Sequence, residues 1–235
     1  MIDLKGYGPR LAEGAVVTVE LALLSLLLAL FLGLLSASAK LSGNRLARGF
    51  ASTYTTVVRG VPDLVMMMLL YYGGQVLVNR ISDWLYESYG IDWFVQFDPF
   101  ISGVLTIGLI FGAYMAETFR GAFLAVETGQ IEAARAYGFS RWHTFRRVMV
   151  PQMMRHALPG LGNNWQVLLK TTALVSIIGL TDMVRVAEEA AKAERSPFLF
   201  FIPVAAMYLT LTAVSELFIK WLNRRANVGV VQGEG

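Results

Sequence analysis

An all-α, polytopic membrane protein with five spanning helices is what this sequence predicts, on three observations. Apolar residues make up 55% of the 235 residues and charged residues only 16%, well under the quarter or so usual for soluble globular chains. The apolar residues also come in blocks. Residues 21–39, 64–79, 99–116 and 196–215 hold no charge, and a fifth block, from about Asn163 to Thr181, is interrupted only by Lys170. A hydrocarbon core about 30 Å thick requires roughly 20 helical residues, fewer where flanking side chains snorkel. The third observation is that the connections between blocks alternate in charge.

The elements follow in chain order. Residues 1–13 are an N-terminal segment ahead of the first span, which starts near Gly14 and carries Glu20 about a turn and a half inside. The start of the chain has no basic region and no small-residue cleavage site, so this span is expected to be retained. The next connection holds Lys40, Arg45, Arg48 and Arg59 and no acid. Asp63, after Pro62, opens the second span. Connection 80–98 holds Asp83, Glu87, Asp92 and Asp98 against the single base Arg80, interleaved with Trp84, Tyr86, Tyr89, Trp93, Phe94 and Phe97. Such rings favour the headgroup level, so the stretch reads as an interfacial segment or as a docking surface for an extracytoplasmic partner, and both readings stay open. The third span ends with Glu117, three residues before Arg120 on one helical face, which predicts an intrahelical ion pair. The connection around 120–156 is basic again, with Arg120, Arg135, Arg141, Arg146, Arg147 and Arg155. Connection 182–195 is mixed, and the tail after the last span carries Lys220, Arg224 and Arg225. Lysine and arginine gather on the cytoplasmic side, so the N-terminus is expected outside and the C-terminus inside. The small positive net charge is accounted for by these loops and does not point to nucleic acid.

Residues from about 127 to 151 stand apart as a basic, amphipathic stretch. Gly129 suits a helix N-cap, and Glu132 would then fall in the first turn, where a carboxylate favours the positive dipole end. Ala133, Ala134 and Ala136 form helix readily with little bulk, so another protein can approach closely. Gly138 fits the left-handed residue that ends a helix, and Ser140 can cap the next. Trp142, Phe145 and Met149 follow at helical spacing, and Pro151 is placed to break the helix before the chain re-enters the membrane. The expectation is a helix-Gly-helix elbow on the cytoplasmic side, its small-residue face exposed and its aromatic face against the membrane. A basic amphipathic helix lying on anionic lipid would not need Glu132, Gly138 and Pro151 at these intervals.

That spacing, Glu132-Ala133-Ala134, three residues, Gly138, nine residues, Val148, one residue, Val150-Pro151, resembles the coupling loop of ABC-importer permeases. Val148 and Val150 stand where isoleucine and leucine are usual. The resemblance extends to Tyr54-Thr55-Thr56, Arg59-Gly60-Val61-Pro62-Asp63 and Glu117-Thr118-Phe119-Arg120-Gly121-Ala122-Phe123. It continues through Ala157–Gln166, Leu169-Lys170 and Ala173–Ser176. Running from about Gly14 to Arg225, it is similar to the polar amino-acid permeases of the type-I ABC importers, within them the branch for histidine, lysine, arginine and ornithine. It implies a permease domain over 14–225 with the coupling loop inside it, a periplasmic segment 1–13 and a cytoplasmic tail 226–235, in the bacterial inner membrane. It also implies a related M-type permease subunit as pseudo-twofold mate, two copies of an ATPase that bind ATP and Mg, and a periplasmic amino-acid-binding protein. The coupling residues carried over are Glu132, Ala133, Ala134, Gly138, Val148 and Pro151. One position departs: many relatives carry Asp after the lysine of the fourth span, whereas Lys170 here precedes Thr171 and Thr172, so no substrate contact of that acid transfers.

An ionisable side chain at mid-membrane costs about 2.5–3.5 kcal/mol on insertion scales and must face protein or water. Glu20, Asn163, Asn164 and Lys170 are therefore candidates for a substrate path. Glu20 would serve either as an acceptor for a cationic substrate or as an internal partner of Lys170 or Thr18. Asn163 and Asn164 would either line a polar path or satisfy carbonyls freed near Pro159 and Gly162. The spans bring no nucleophile, base or metal ligands together. The chain has no cysteine, only two histidines, and no GxxxxGK[ST] phosphate loop. An enzyme, a lipid-interacting scaffold and a stand-alone channel thus fit less well than a non-catalytic transport subunit without a cofactor of its own. The acidic outer connection and Glu20 agree with a basic amino acid as cargo, with another polar amino acid or an opine-like compound as the alternative.

Overall fold

The computed structural model describes residues 4–227 and, among these, is built of helices joined by short links. Helix α1 (Gly8–Leu41) begins six residues before the expected start at Gly14 and is 34 residues long, about 51 Å. Its buried stripe, Gly14, Thr18, Leu21, Ala22, Ser25, Ala29 and Gly33, repeats every three or four residues, as one covered helix face requires.

Helix α2 (Arg45–Gly60) lies within the stretch expected only as a basic connection. Asn44 caps it, its Oδ1 accepting from the amides of Leu46 at 2.9 Å and Ala47 at 3.3 Å, which satisfies two of the four orphan donors at the helix start. Ala51, Thr55 and Val58 are buried while Arg45 and Arg48 are exposed. Counting charges finds the arginines and misses the helical period beneath them.

Helix α3 (Asp63–Tyr89) is 27 residues long and contains a π turn at Leu69–Gly73. It runs on through Trp84, Tyr86 and Tyr89, so most of the expected outer connection 80–98 is helix. The helix stops at Gly90, whose φ is +66°. The link that remains folds back on α3: the Gln75 amide nitrogen donates to the Val95 carbonyl at 2.8 Å, and its oxygen accepts from the Phe97 amide at 2.7 Å.

Helix α4 (Pro99–Leu124), capped by Asp98 at the Ile101 amide, is the centre of the protein. Its apolar stretch is 61% buried, against 11% for α3 and for the last helix. α1 lies along it nearly backbone to backbone. A Cβ on Gly108 would fall 2.6 Å from Leu28, and one on Gly112 would fall 2.8 Å from Leu32. Close approach over small residues is how helices associate where lipid supplies no hydrophobic drive.

Helices α5 (Thr128–Ala136) and α6 (Arg141–Ile178) follow. The end of α6, Thr172–Ile178, tightens to a 3-10 helix and stops at Gly179, whose φ is +94°. After a 52° bend comes α7 (Met183–Glu194), and then α8 (Pro197–Ala226). Four helices (α1, α3, α4 and α8) are each long and apolar enough to cross a membrane, and the bent α6–α7 pair passes the same test when taken together, which gives up to five.

Residues 182–195, expected as a mixed loop, are thus mostly helix. Met183, Val186, Ala187 and Ala190 are buried, while Arg185, Glu188, Glu189 and Lys192 pair with one another along the outer face. The mixed charge is the solvent side of an amphipathic helix. Its start is buried: Asp182, fully enclosed, accepts from the Arg185 amide at 2.9 Å. α1 presses on it so closely that a Cβ on Gly14 would lie 2.7 Å from the Met183 nitrogen.

Candidate functional site

The elbow forms after a three-residue link from α4. Helix α5 is opened by Glu127, whose side chain makes no cap bond, so Gly129 lies inside the helix and is not its N-cap. Glu132 consequently sits one turn beyond the first, and the first turn itself holds no acid. The far end forms as the sequence predicts. Gly138 has φ +80°, its amide donates to Arg135 at 2.9 Å, and the Phe139 amide donates back to Ala134 at 3.0 Å. This is the paired closure that a left-handed residue permits. Ser140 then caps the next helix, its Oγ accepting from the His143 amide.

Glu132, Ala133 and Ala136 lie exposed on α5, as a docking face requires, but Ala134 is buried. Tyr137 and Trp142 are exposed too, at 86% and 64%, and Trp142 stacks on Phe145. The hydrogen bond between the Gln152 and Gln130 side chains, at 2.5 Å, ties α6 to α5. Pro151 does not break the chain's helix. α6 passes through it by opening into a π turn at Phe145–Met149, in which the Val150 amide donates to Phe145. The wider turn accommodates a residue that has no amide hydrogen to give and whose ring crowds the preceding turn. Val148 is half-buried on that turn. α6 therefore runs on from the elbow as one helix to Ile178.

The candidate path residues divide. Asn164 is satisfied internally, its amide donating to the Thr118 hydroxyl of α4 at 3.0 Å. Thr18 is not a partner of Glu20, because its hydroxyl donates to the Gly14 carbonyl and receives the Met183 amide. Glu20, Asn163 and Lys170 are all exposed, and among the described residues Glu20 and Lys170 form no ion pair with each other. Glu20 shares the uncovered side of α1 with Leu24, Leu27 and Phe31. Asn163, Val167 and Lys170 form an uncovered stripe on α6. An apolar groove of about 390 Å³ between α1, α6 and α8, walled by residues such as Leu26, Trp165 and Phe218, offers an amino acid no charged partner. The polar stripes are the better candidates.

One charged cluster has no counterpart in the sequence reading. The predicted Glu117–Arg120 pair is present at 2.9 Å, but Glu117 also receives the ammonium of Lys40, from the last turn of α1. Lys40 donates as well to the Thr55 hydroxyl of α2 at 2.5 Å. Beside it the Tyr54 hydroxyl donates to the Leu109 carbonyl at 2.5 Å, and burial pushes that hydroxyl up to about 12. No periodicity links residue 40 to residue 117.

Known proteins resemble the chain over nearly its whole length. The family described as "binding-protein-dependent transport system inner membrane component" matches residues 29–228. The histidine/lysine/arginine/ornithine transport system permease protein HisQ of Salmonella typhimurium is 50% identical over 231 residues, covering 98% of this chain and 99% of that one. HisQ of Escherichia coli K12 is 48% identical over the same share. The octopine transport system permease protein OccQ of Rhizobium meliloti is 39% identical, covering 97% and 94%. Among solved structures, an amino acid ABC transporter with histidines superposes with a TM-score of 0.77 at 32% identity, covering 93% of this chain and 95% of that one. A chain of the inward-facing MetNI methionine transporter, at 16% identity, shares the fold with a TM-score of 0.64, covering 94% and 97%.

Proposed function

The chain belongs to the binding-protein-dependent transport system inner membrane components, and we propose that it forms half of the path by which an ATP-driven importer carries basic L-amino acids. It is a permease subunit and not a catalyst, and it works with an ATPase and a substrate-binding protein.

The observation that carries the proposal is the polar set left uncovered within the spans. Glu20, Asn163 and Lys170 are exposed, and a carboxylate or ammonium facing lipid would cost about 2.5–3.5 kcal/mol. A second protein surface or water must therefore face them. A related M-type permease subunit, packed as a pseudo-twofold mate, supplies both, closing a hydrated path along α1 and α6. Glu20 gives that path a negative charge, which favours a cationic side chain. The substrates named for HisQ, at 48–50% identity, support histidine, lysine, arginine and ornithine as cargo. OccQ and the nopaline permease NocQ, at 39% and 43%, support an opine-like compound as the second reading.

In this reading the elbow seats in the ATPase dimer, which holds ATP and its Mg ion. Closure of that dimer pushes on the face bearing Glu132, Ala133 and Gly138, and the rod of α6 passes the motion upward past Val148 and Pro151. The spans rock from inward-open to outward-open, and a periplasmic amino-acid-binding protein delivers the substrate. The charge of the connections supports a periplasmic N-terminus and a cytoplasmic C-terminus; reporters inserted after Asn44, Ser140 and Asn227 should read cytoplasmic and one after Ser88 periplasmic.

The test is ATP-dependent uptake by the complex of both permease subunits, ATPase and binding protein in lipid vesicles. Labelled lysine and arginine should accumulate and be displaced by histidine and ornithine, not by acidic or neutral amino acids. Uptake that octopine or a neutral amino acid blocks better than arginine would overturn the assignment to basic amino acids.

A further inference from the structure

We infer that Lys40 is the residue that makes α1 and α4 move as one body, so that a push delivered at the elbow becomes transport. The inference rests on the coupling reading above and assigns it a positioning residue far from both the elbow and the substrate path.

Helix α4 leads into the elbow, and its last turns are the first part of the spans that a displaced α5 must pull. Glu117 lies there, seven residues from the end of α4, and Lys40 lies in the last turn of α1. Their side chains are 22% and 10% exposed, so the pair is largely shielded from water and from salt, where a charge-charge contact holds far better than on an open surface. One ammonium joins three elements: it donates to Glu117 of α4 and to Thr55 of α2, and it is anchored in α1. α2 is further pinned to α4 by the Tyr54–Leu109 bond and by Arg59 over the Tyr114 ring at 5.3 Å.

Above the cluster α1 and α4 are held by direct contact: the Leu28 and Leu32 side chains of α1 fill the space beside Gly108 and Gly112, and Gly33 lies against Met115. A lysine that bonds across the contact opposes sliding directly, because any shift along the axis stretches a charge-assisted bond. Since α1 carries Glu20 on its uncovered side, the clamp passes a motion of α4 to the wall of the path.

The cluster is built so that its removal is informative. With Lys40 replaced, Glu117 keeps Arg120, so no buried charge is orphaned, and the helix contacts that fold the protein are untouched. Lys40→Met keeps the length and apolar stem and removes only the charge.

The experiment uses the whole complex in vesicles. The wild type first establishes ATP-dependent uptake and the ATP hydrolysed per amino acid imported; a wild type that imports no basic amino acid refutes the proposed function and leaves the clamp to be judged by the second measurement. Lys40→Met should keep hydrolysis stimulated by the binding protein within about twofold while the ATP used per amino acid rises at least about fivefold, with Lys40→Arg restoring the ratio. Equal falls in hydrolysis and uptake, or an unchanged ratio, would overturn the inference. The second measurement needs no transport. The chain has no cysteine, so spin labels at Leu41 and Leu124, which border the same surface recess, report the α1–α4 register. Their dipolar broadening should be unaffected by ATP in the wild type and should change with ATP in Lys40→Met. A Lys40→Met spectrum as insensitive to ATP as the wild type's overturns the clamp, whatever the substrate.

Discussion

Replacing Gly138 by valine isolates the backbone requirement of the elbow. The residue has φ +80°, and a Cβ built there meets nothing within 4 Å, so no steric clash confuses the result. What changes is the dihedral preference. A β-branched residue held in the left-handed region costs on the order of 1–3 kcal/mol. Two backbone bonds depend on that conformation, Gly138 to Arg135 and Phe139 to Ala134. A cost of about 2 kcal/mol lowers the equilibrium constant for the correctly folded elbow roughly 30-fold, since about 1.4 kcal/mol is a factor of ten. Both neighbouring helices would remain, joined at the wrong angle. The assay is ATP-dependent uptake normalised to the complex recovered in detergent, for Gly138→Val beside Gly138→Asn. Asparagine tolerates the left-handed region, so it should retain most of the uptake that valine loses. Normal uptake by Gly138→Val, or equal damage from both variants, would refute the reasoning.

The substitution Glu20→Gln keeps the shape of the side chain and removes its charge, so normalised uptake of lysine and arginine should fall several-fold while assembly stays intact; unchanged uptake of every basic amino acid would take Glu20 out of the path. Gly14→Val places side-chain atoms against the backbone of Asp182 and Met183 and should destabilise the subunit by about 1–3 kcal/mol, read as a lower thermal midpoint in detergent; a wild-type midpoint would show that α1 and α7 do not meet so closely. For Tyr54 the sign follows from its hydroxyl being raised to about 12 above the ordinary value near 10. Its stabilising contribution is complete below pH about 10 and is lost as the pH rises toward about 12, because the unfolded chain ionises first. Tyr54→Phe should therefore be less stable than the wild type at pH 7 and lose less between pH about 10 and 12, measured by thermal unfolding; parallel losses would exclude Tyr54 as the cause.

The elbow shows how far local reading reaches. Gly138 and Ser140 were legible because a left-handed closure and a cap are made within a few residues of chain, and the amides they satisfy are neighbours in sequence. The start of α5 and the passage through Pro151 were not. A cap can fall on any of several adjacent residues, and a helix resolves a proline by opening a π turn when the rod on either side is held by packing. The mixed charge of 182–195 misled for a related reason. Its apolar face, Met183, Val186, Ala187 and Ala190, has the helical period, but nothing in the sequence says that α1 and α8 are there to cover it.

By itself the sequence determined that the chain crosses a membrane, which stretches are apolar enough to do so, and where the elbow turns. Transfer of apolar residues and burial of charge depend on composition along the chain, and turn chemistry depends on near neighbours. The tertiary structure decided which polar groups meet. Lys40 reaches Glu117 across 77 residues, Asn164 reaches Thr118 across 46, and Thr18 receives the Met183 amide across 165. Such pairs are set by the register in which glycine lets two helices touch, and a helical period tells which face is covered without telling what covers it. For the same reason Glu20 and Lys170, each next to a buried residue (Leu21 and Leu169), lie open on the surface instead of against each other.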